Sequence, residues 1–120
     1  QRQADDATLP DSKTDQREFP PEGYVRLSNR GEGFVSYGWI FRPGTTFKEK
    51  VITALLNNYT VDRVKSLLLT DAGAFGYNLA GDGVQRIPLD SLDDSRIEVI
   101  AAGEFPAAEF EAKLLAACGL

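Results

Sequence analysis

The sequence predicts an α+β fold, with a small mixed or antiparallel sheet of about four to five strands packed by two main helices. Three stretches carry that prediction. In "FVSYGWIFR", Val35, Tyr37, Trp39 and Phe41 alternate with Phe34, Ser36, Gly38 and Ile40, the pattern of a strand buried on its aromatic face. After Thr46, the residues Phe47, Val51, Ala54, Leu55 and Asn58 run down one side of a helix, and Ile52, Leu56 and Tyr59 widen the stripe. After Pro106, which suits a first helical turn, Phe110, Leu114, Ala117 and Cys118 give a second helix its apolar face.

The remaining elements follow in chain order. Residues 1–23 hold six acidic and three basic side chains, three of the prolines, and only Leu9 and Phe19 as sizeable apolar groups. Such a segment cannot bury enough surface to offset its ordering entropy, so it is expected to be a flexible acidic arm. A single compact domain is expected over residues 24–120. It opens on "YVRLS", where Tyr24, Arg26 and Ser28 alternate with Val25 and Leu27, and "NRGEG" then reverses the chain into the aromatic strand. The stretch "TVDRVKSLLLTDAG" reads two ways. Val61, Val64, Leu67 and Leu68 suit a short helix capped by Thr60, while Val64 to Leu69 equally suits a strand entering the core. Phe75, Tyr77 and Leu79 mark a strand that ends at Gly81-Asp82-Gly83. "VQRIPL" is its return, confined by Pro88 to an edge or a strand end, and "SRIEVIAAG" alternates as a further strand.

Composition excludes several activities. The 120 residues carry 13 basic and 18 acidic side chains, a net charge of -5, with no Lys/Arg cluster to neutralise phosphates, so nucleic acid is not an expected partner. No apolar run reaches the ~20 residues of a membrane-spanning helix. Histidine is absent, which removes the commonest general base and transition-metal ligand. The single cysteine, Cys118, rules out an internal disulfide and a thiolate zinc site, and reads as a small hydrophobe on the last helix or as one half of a disulfide to another chain. No cofactor and no metal site are expected. The sequence begins at Gln1 and contains no methionine, so either a targeting segment has been removed or the chain is an excised fragment; the first reading carries the expectation of a periplasmic or secreted location.

Three stretches invite chemistry. The turn Pro43-Gly44-Thr45-Thr46 precedes a helix, but it has one glycine and lacks the P-loop lysine. Thr46 and Glu49 instead match a capping box, in which the Thr46 oxygen takes the Glu49 N–H and the Glu49 carboxylate reaches back. On that reading Thr46→Ala costs about 1 kcal/mol. In "DAGAFGYNLAGDG", Asp71, Gly76 and Asp82 fall at calcium-loop spacing, yet Gly73 and Phe75 offer no side-chain oxygen where two more ligands belong. "DSLDDS" gathers Asp90, Asp93 and Asp94, which suit either a Mg²⁺ or acid–base site or a solvated turn with local Asx caps.

The stretch "YGWIFRPGTTFKEKVITALLNNY" resembles the ring-forming periplasmic domains of bacterial envelope machines. Among these are the toxin-coregulated pilus biosynthesis protein Q family and the N-terminal domain of secretins. The matching residues are Trp39, Gly44, Thr45, Phe47, Val51 and Leu55, and "SRIEVIAAGEFPAAEFEAKLL" is similar to that pattern's later strand, Gly-x-Phe step and second helix. The chain departs from the pattern in having no second aromatic in "TVDRVKS" and no strand after the second helix. The resemblance implies a non-catalytic scaffold that packs side by side, as a homo-oligomer, in a pilus or secretion complex. The residues themselves lead to a non-enzymatic protein-interaction domain with a protein partner bound by the arm, through Leu9, Phe19, Pro20 and Pro21, or by an exposed sheet edge. Two other readings stand beside it: a small-ligand module built on the aromatic strand around Tyr37 and Trp39, and a carboxylate enzyme centred on Asp90, Asp93 and Asp94.

Overall fold

The computed structural model describes residues 19–81 and 83–120. Its elements are β1 (Tyr24–Gly31), β2 (Phe34–Phe41), α1 (Glu49–Asn57), β3 (Arg63–Thr70), β4 (Gly73–Ala80), β5 (Gly83–Pro88), β6 (Ser95–Ala102) and α2 (Ala107–Ala117). The six strands form one sheet in the order β1-β2-β6-β3-β4-β5, with every neighbouring pair antiparallel. The α+β class holds, and the sheet has six strands rather than four to five. The difference lies at residues 61–69, where the two-way reading resolves as strand. β3 is flanked by β4 and β6, so both its backbone edges are paired, and Val64, Ser66, Leu68 and Thr70 alternate into the core.

The β1–β2 hairpin turns on Glu32 and Gly33, both with positive φ (52° and 82°), the geometry that matches the twist of the flanking strands. Both helices lie on one face of the sheet. Beneath them Trp39, Phe41, Val64, Leu68, Tyr77, Ile97 and Val99 pack against Ile52, Leu55, Leu56, Phe110 and Leu114. The aromatic face expected of β2 is therefore the face that meets the helices. On the opposite face Ile40 and Gly38 are buried in the central strands, Glu98 pairs in register with Lys65, and Leu27, Phe34 and Ile87 are exposed.

The start of α1 departs from the capping box. Phe47 stays extended and forms a parallel bridge to Thr70: its N–H donates to the Leu69 carbonyl at 2.9 Å, and its own carbonyl accepts from the Asp71 N–H at 2.9 Å. The Lys48 N–H donates to the Ala117 carbonyl at the end of α2, also at 2.9 Å. The helix thus begins only at Glu49, whose N–H donates to Asp71 Oδ1 at 2.9 Å, while the Thr46 hydroxyl turns back to the Gly44 carbonyl. The physical reason is burial of Phe47, whose ring meets Phe41 edge-on at 5.0 Å. Bringing that ring into the core requires two more extended residues than a cap at Thr46 leaves. The helix face shifts accordingly. Ile52, Leu55 and Leu56 are buried, whereas Val51, expected in the apolar stripe, is 40% exposed, and Ala54 and Asn58 are exposed too. In α2 the expected face holds, with Phe110, Leu114 and Ala117 buried and Cys118 half-buried at the end.

Moving the cap from Thr46 to Asp71 reverses the mutational expectation. Asp71→Ala is predicted to cost about 1 kcal/mol by leaving a helix-start N–H without its acceptor. Thr46→Ala should stay within about 0.5 kcal/mol, as for other exposed surface changes. Denaturant titration of the two variants checks the order, and a larger loss for Thr46→Ala contradicts it.

Candidate functional site

The carboxylate loop between β5 and β6 does not assemble an acid–base pair. Asp90 and Asp93 are exposed, whereas Asp94 is buried and holds the Arg96 guanidinium through Nε and Nη2, both at 3.2 Å. Ser95, the next residue, accepts the Leu69 N–H on its hydroxyl at 2.9 Å. Asp94 thereby ties the loop to β6 through Arg96, and the solvated-turn reading fits Asp90 and Asp93. Among the described residues no group of three or more His, Cys, Asp or Glu side chains is placed to hold a metal ion.

A more organised arrangement lies on the helix side of the sheet. One register row crosses all six strands: Arg26, Trp39, Ile97, Ser66, Tyr77 and Arg86. A helix glutamate closes each end of it. Glu111 of α2 accepts from Trp39 Nε1 at 2.8 Å, Arg26 Nη1 at 3.1 Å and the Tyr24 hydroxyl at 3.2 Å. Glu49 of α1 accepts from Arg86 Nη1 at 3.1 Å and from the hydroxyls of Thr53 (3.0 Å) and Tyr77 (3.3 Å). Arg86 also lies over the Phe75 ring at 4.4 Å. A third carboxylate, Glu109, joins the end of α1 to α2 by accepting from the Tyr59 hydroxyl at 2.6 Å.

Between α1 and β5 the Glu49 end opens into a cleft of about 300 Å³, lined by Glu49, Thr53, Asn57, Tyr77, Val84 and Arg86. Burial, then the Glu49 charge, pushes the Tyr77 phenol up to about 12, so it is a hydrogen-bond donor and not a base at neutral pH. With its Oε2 already accepting three donors, Glu49 is engaged in holding the wall together. The cleft can offer the Arg86 cation and the Asn57 amide to a ligand, but it holds no poised proton-transfer pair. Sequence reading missed this row. The available signal was Arg26 and Arg86 on the core-facing side of their strands, where a charge demands a partner.

The aromatic strand lines the core, not a cleft. Trp39 has no exposed surface and Tyr37, half-buried, packs against Trp39 and Phe105 at 6.2 and 5.9 Å between centroids. Of the proposed arm anchors, Leu9 lies outside the described residues. Phe19 and Pro20 are half-buried and Pro21 is exposed. The Pro20 carbonyl accepts from the Gly23 N–H at 2.9 Å and from Arg42 Nη2 at 3.1 Å, which ties this end of the arm to the chain's own domain. Burial raises the Cys118 thiol above its usual range, so it is a poor nucleophile.

The sheet leaves two edges, and they differ. In β5 the Leu89 N–H donates to the Ala74 carbonyl, which fixes the odd positions 83–89 as those bonded inward to β4. The outward positions are then Val84, Arg86 and Pro88, and Pro88 has no N–H to present. In β1 the Arg42 N–H donates to the Gly23 carbonyl, so the odd positions bond inward to β2, and Tyr24, Arg26, Ser28 and Arg30 direct their backbone groups outward. This edge runs eight residues without a proline, and Arg26, Leu27, Ser28 and Arg30 are all exposed. Beside it, on the face away from the helices, Leu27 and Phe34 are 37% and 45% exposed. Phe34 helps line a shallow cavity of about 270 Å³ with Asn29, Gly31, Glu32, Ser36 and Ile100. No helix among the described residues is long and apolar enough to cross a membrane.

No protein-family model, no curated protein and no solved structure matches the chain.

Two measurements check this geometry. Glu111→Ala strands the buried indole N–H of Trp39 and is predicted to cost about 1–3 kcal/mol, with a shift in tryptophan emission; an unchanged melt and spectrum would contradict the hub. At the other end, the unfolded Tyr77 phenol ionises near 10 while the folded one resists to about 12. Between those values the unfolded chain has released a proton that the folded chain retains, so stability falls as pH rises through that window. Tyr77→Phe should flatten the decline in denaturant titrations across it.

Proposed function

We propose that this chain is a non-enzymatic protein-interaction domain whose working surface is the exposed edge of β1. The observation that carries the reading is the contrast between the two edges. Exposed edge strands are templates for pairing, and folds that leave one unused shorten it, break it with proline or cover it. β5 is short and ends in Pro88, whereas β1 offers four consecutive outward positions, each with an N–H and a C=O. An extended segment of a partner would add to the sheet as a seventh strand, gaining main-chain hydrogen bonds from β1 and side-chain contact from Leu27 and Phe34. The setting proposed for this interaction is a pilus or secretion assembly of the bacterial envelope, with the domain periplasmic or secreted; its support is the sequence resemblance around Trp39, Gly44, Thr45, Phe47, Val51 and Leu55.

The test is capture of partners from an envelope fraction with three forms of the chain. Ser28→Pro removes one outward N–H at a position where an edge strand tolerates proline, and Ser28→Ala keeps it. The wild type and Ser28→Ala are expected to retain the same partner, and Ser28→Pro to lose it at least tenfold with its thermal melt preserved. Undiminished capture by Ser28→Pro overturns the edge reading. A second expected outcome concerns the free protein in hydrogen exchange. The Arg26, Ser28 and Arg30 amides should exchange fast and the Leu27 and Asn29 amides slowly; uniform protection along β1 would show the outward groups to be occupied.

A further inference from the structure

Resting on the β1 edge as the docking surface, we infer that its partner is an extended acidic-apolar segment, paired antiparallel with β1 and carrying an acid–apolar–x–apolar–acid pattern. Three observations fix the pattern. The first is charge. The exposed positions of β1 include Arg26 and Arg30 and no acidic residue. Arg26 is half exposed with Glu111 behind it, at 48% of its side-chain surface, and Arg30 has no ion-pair partner among the described residues. Both lie on the helix side of the strand, four positions apart. In an antiparallel pair, residues directly opposite share a face, so a partner carboxylate opposite Arg30 implies a second one four residues later, opposite Arg26.

The second observation concerns the other face. Leu27 and Asn29 point away from the helices, Leu27 exposed, with Asn29 and Phe34 at the rim of the shallow cavity that reaches Ile100. Partner residues opposite Asn29 and Leu27 fall at the second and fourth positions of the same five-residue window. Apolar side chains there would cover Leu27 and Phe34, which the isolated domain leaves in water. The third observation is orientation. Each of the five strand pairings in the sheet is antiparallel, and antiparallel pairing is the more stable per residue. The central residue, opposite Ser28, is left unspecified because serine accepts any small polar neighbour.

A second copy of the chain fits this edge less well. In the register that sets Ser28 of one β1 against Ser28 of the other, Arg26 of each copy stands opposite Arg30 of its mate, and like charges directly opposite are destabilising.

The experiment uses the full chain and fluorescein-labelled peptides built around Asp-Ile-Thr-Val-Glu, with matched versions carrying Asn and Gln, or Lys and Lys, at the two acidic positions. Binding is followed by fluorescence anisotropy, the site by hydrogen exchange of backbone amides, and the state of the free chain by sedimentation. The acidic peptide is expected to bind and to protect the Arg26, Ser28 and Arg30 amides. The lysine version should not bind, and the Arg26→Gln and Arg30→Gln variants should each weaken the complex about threefold, with the effect fading at high salt. Equal binding by the neutral or lysine peptides, with the same amides protected, overturns the acidic pattern and leaves the edge reading standing. Protection confined to β5 or to the α1 cleft overturns both. No binding by any peptide at millimolar concentration to a monomeric chain overturns the inference, as does a dimer whose β1 amides are already protected.

Discussion

The two extended residues Phe47 and Lys48 hold together four parts of this fold. Phe47 bridges the end of β3 through its N–H to Leu69 and its carbonyl to Asp71 just beyond, and its ring is buried against Phe41 at the end of β2. Lys48 donates its N–H to the final carbonyl of α2, and its own carbonyl receives the Ile52 N–H as the first bond of α1. One dipeptide thus joins the end of β2, the end of β3, the C-terminus of α2 and the N-terminus of α1. Helix termini leave backbone groups without partners, and here two termini meet a strand end that supplies them. Asp71, just past β3, completes the junction by accepting the Glu49 N–H. The placement of α1 over the sheet follows from this junction more than from its own length, because a helix of nine residues is marginal by itself.

From that anchor the polar arrangement of the helix side can be understood. α1 and α2 cover the middle of the sheet but not its flanks, so the row from Arg26 to Arg86 runs from solvent, under both helices, to solvent again. Its apolar centre, with Ile97 and the Trp39 ring, needs no help. Its ends carry an arginine and a phenol or indole that must be matched as the helices close over them. Glu111 and Glu49 perform that matching from opposite helices, each accepting three donors. Both ion pairs are partly exposed, so their direct contribution to stability is modest. Their larger effect is geometric: a helix displaced by one turn would leave Trp39 Nε1 or the Tyr77 hydroxyl buried without an acceptor, which penalises misplacement.

Much of this was legible in the sequence, and the exceptions share a cause. The faces of β2, β6 and α2 read correctly because Val35 to Phe41, Ile97 to Ala101 and Phe110 to Ala117 set their larger apolar side chains at strand or helix spacing on the side that meets the core. The cap at Thr46 misread because local signals, Thr and Glu three apart, were overridden by the burial of Phe47, a tertiary demand that no window around the helix contains. β3 was ambiguous because Leu67, Leu68 and Leu69 follow one another, so apolar side chains fall on both faces and the short apolar run suits a strand or a buried helix turn equally. The carboxylate hubs escaped notice because Arg26–Glu111 and Glu49–Arg86 lie 85 and 37 residues apart, and nothing in either neighbourhood names the other.

The two edges of the sheet show how the same chain treats equivalent positions differently. β5 is shielded by its own chemistry: its outward row contains Pro88, and Arg86 is drawn inward toward Glu49 and over Phe75. β1 has an arginine in the corresponding place, Arg26, likewise drawn to a helix glutamate, yet the strand continues past it through Ser28 and Arg30 to the hairpin. The Glu32-Gly33 turn fixes where β1 ends and the register in which it meets β2. Eight positions of β1 pair with β2, and the alternation of backbone groups leaves four of them directed outward, where β2 cannot satisfy them. That edge is open among the described residues because β1 stands at the end of the strand order. A partner strand would meet a template already held in register by β2, with little ordering cost on the side of the domain.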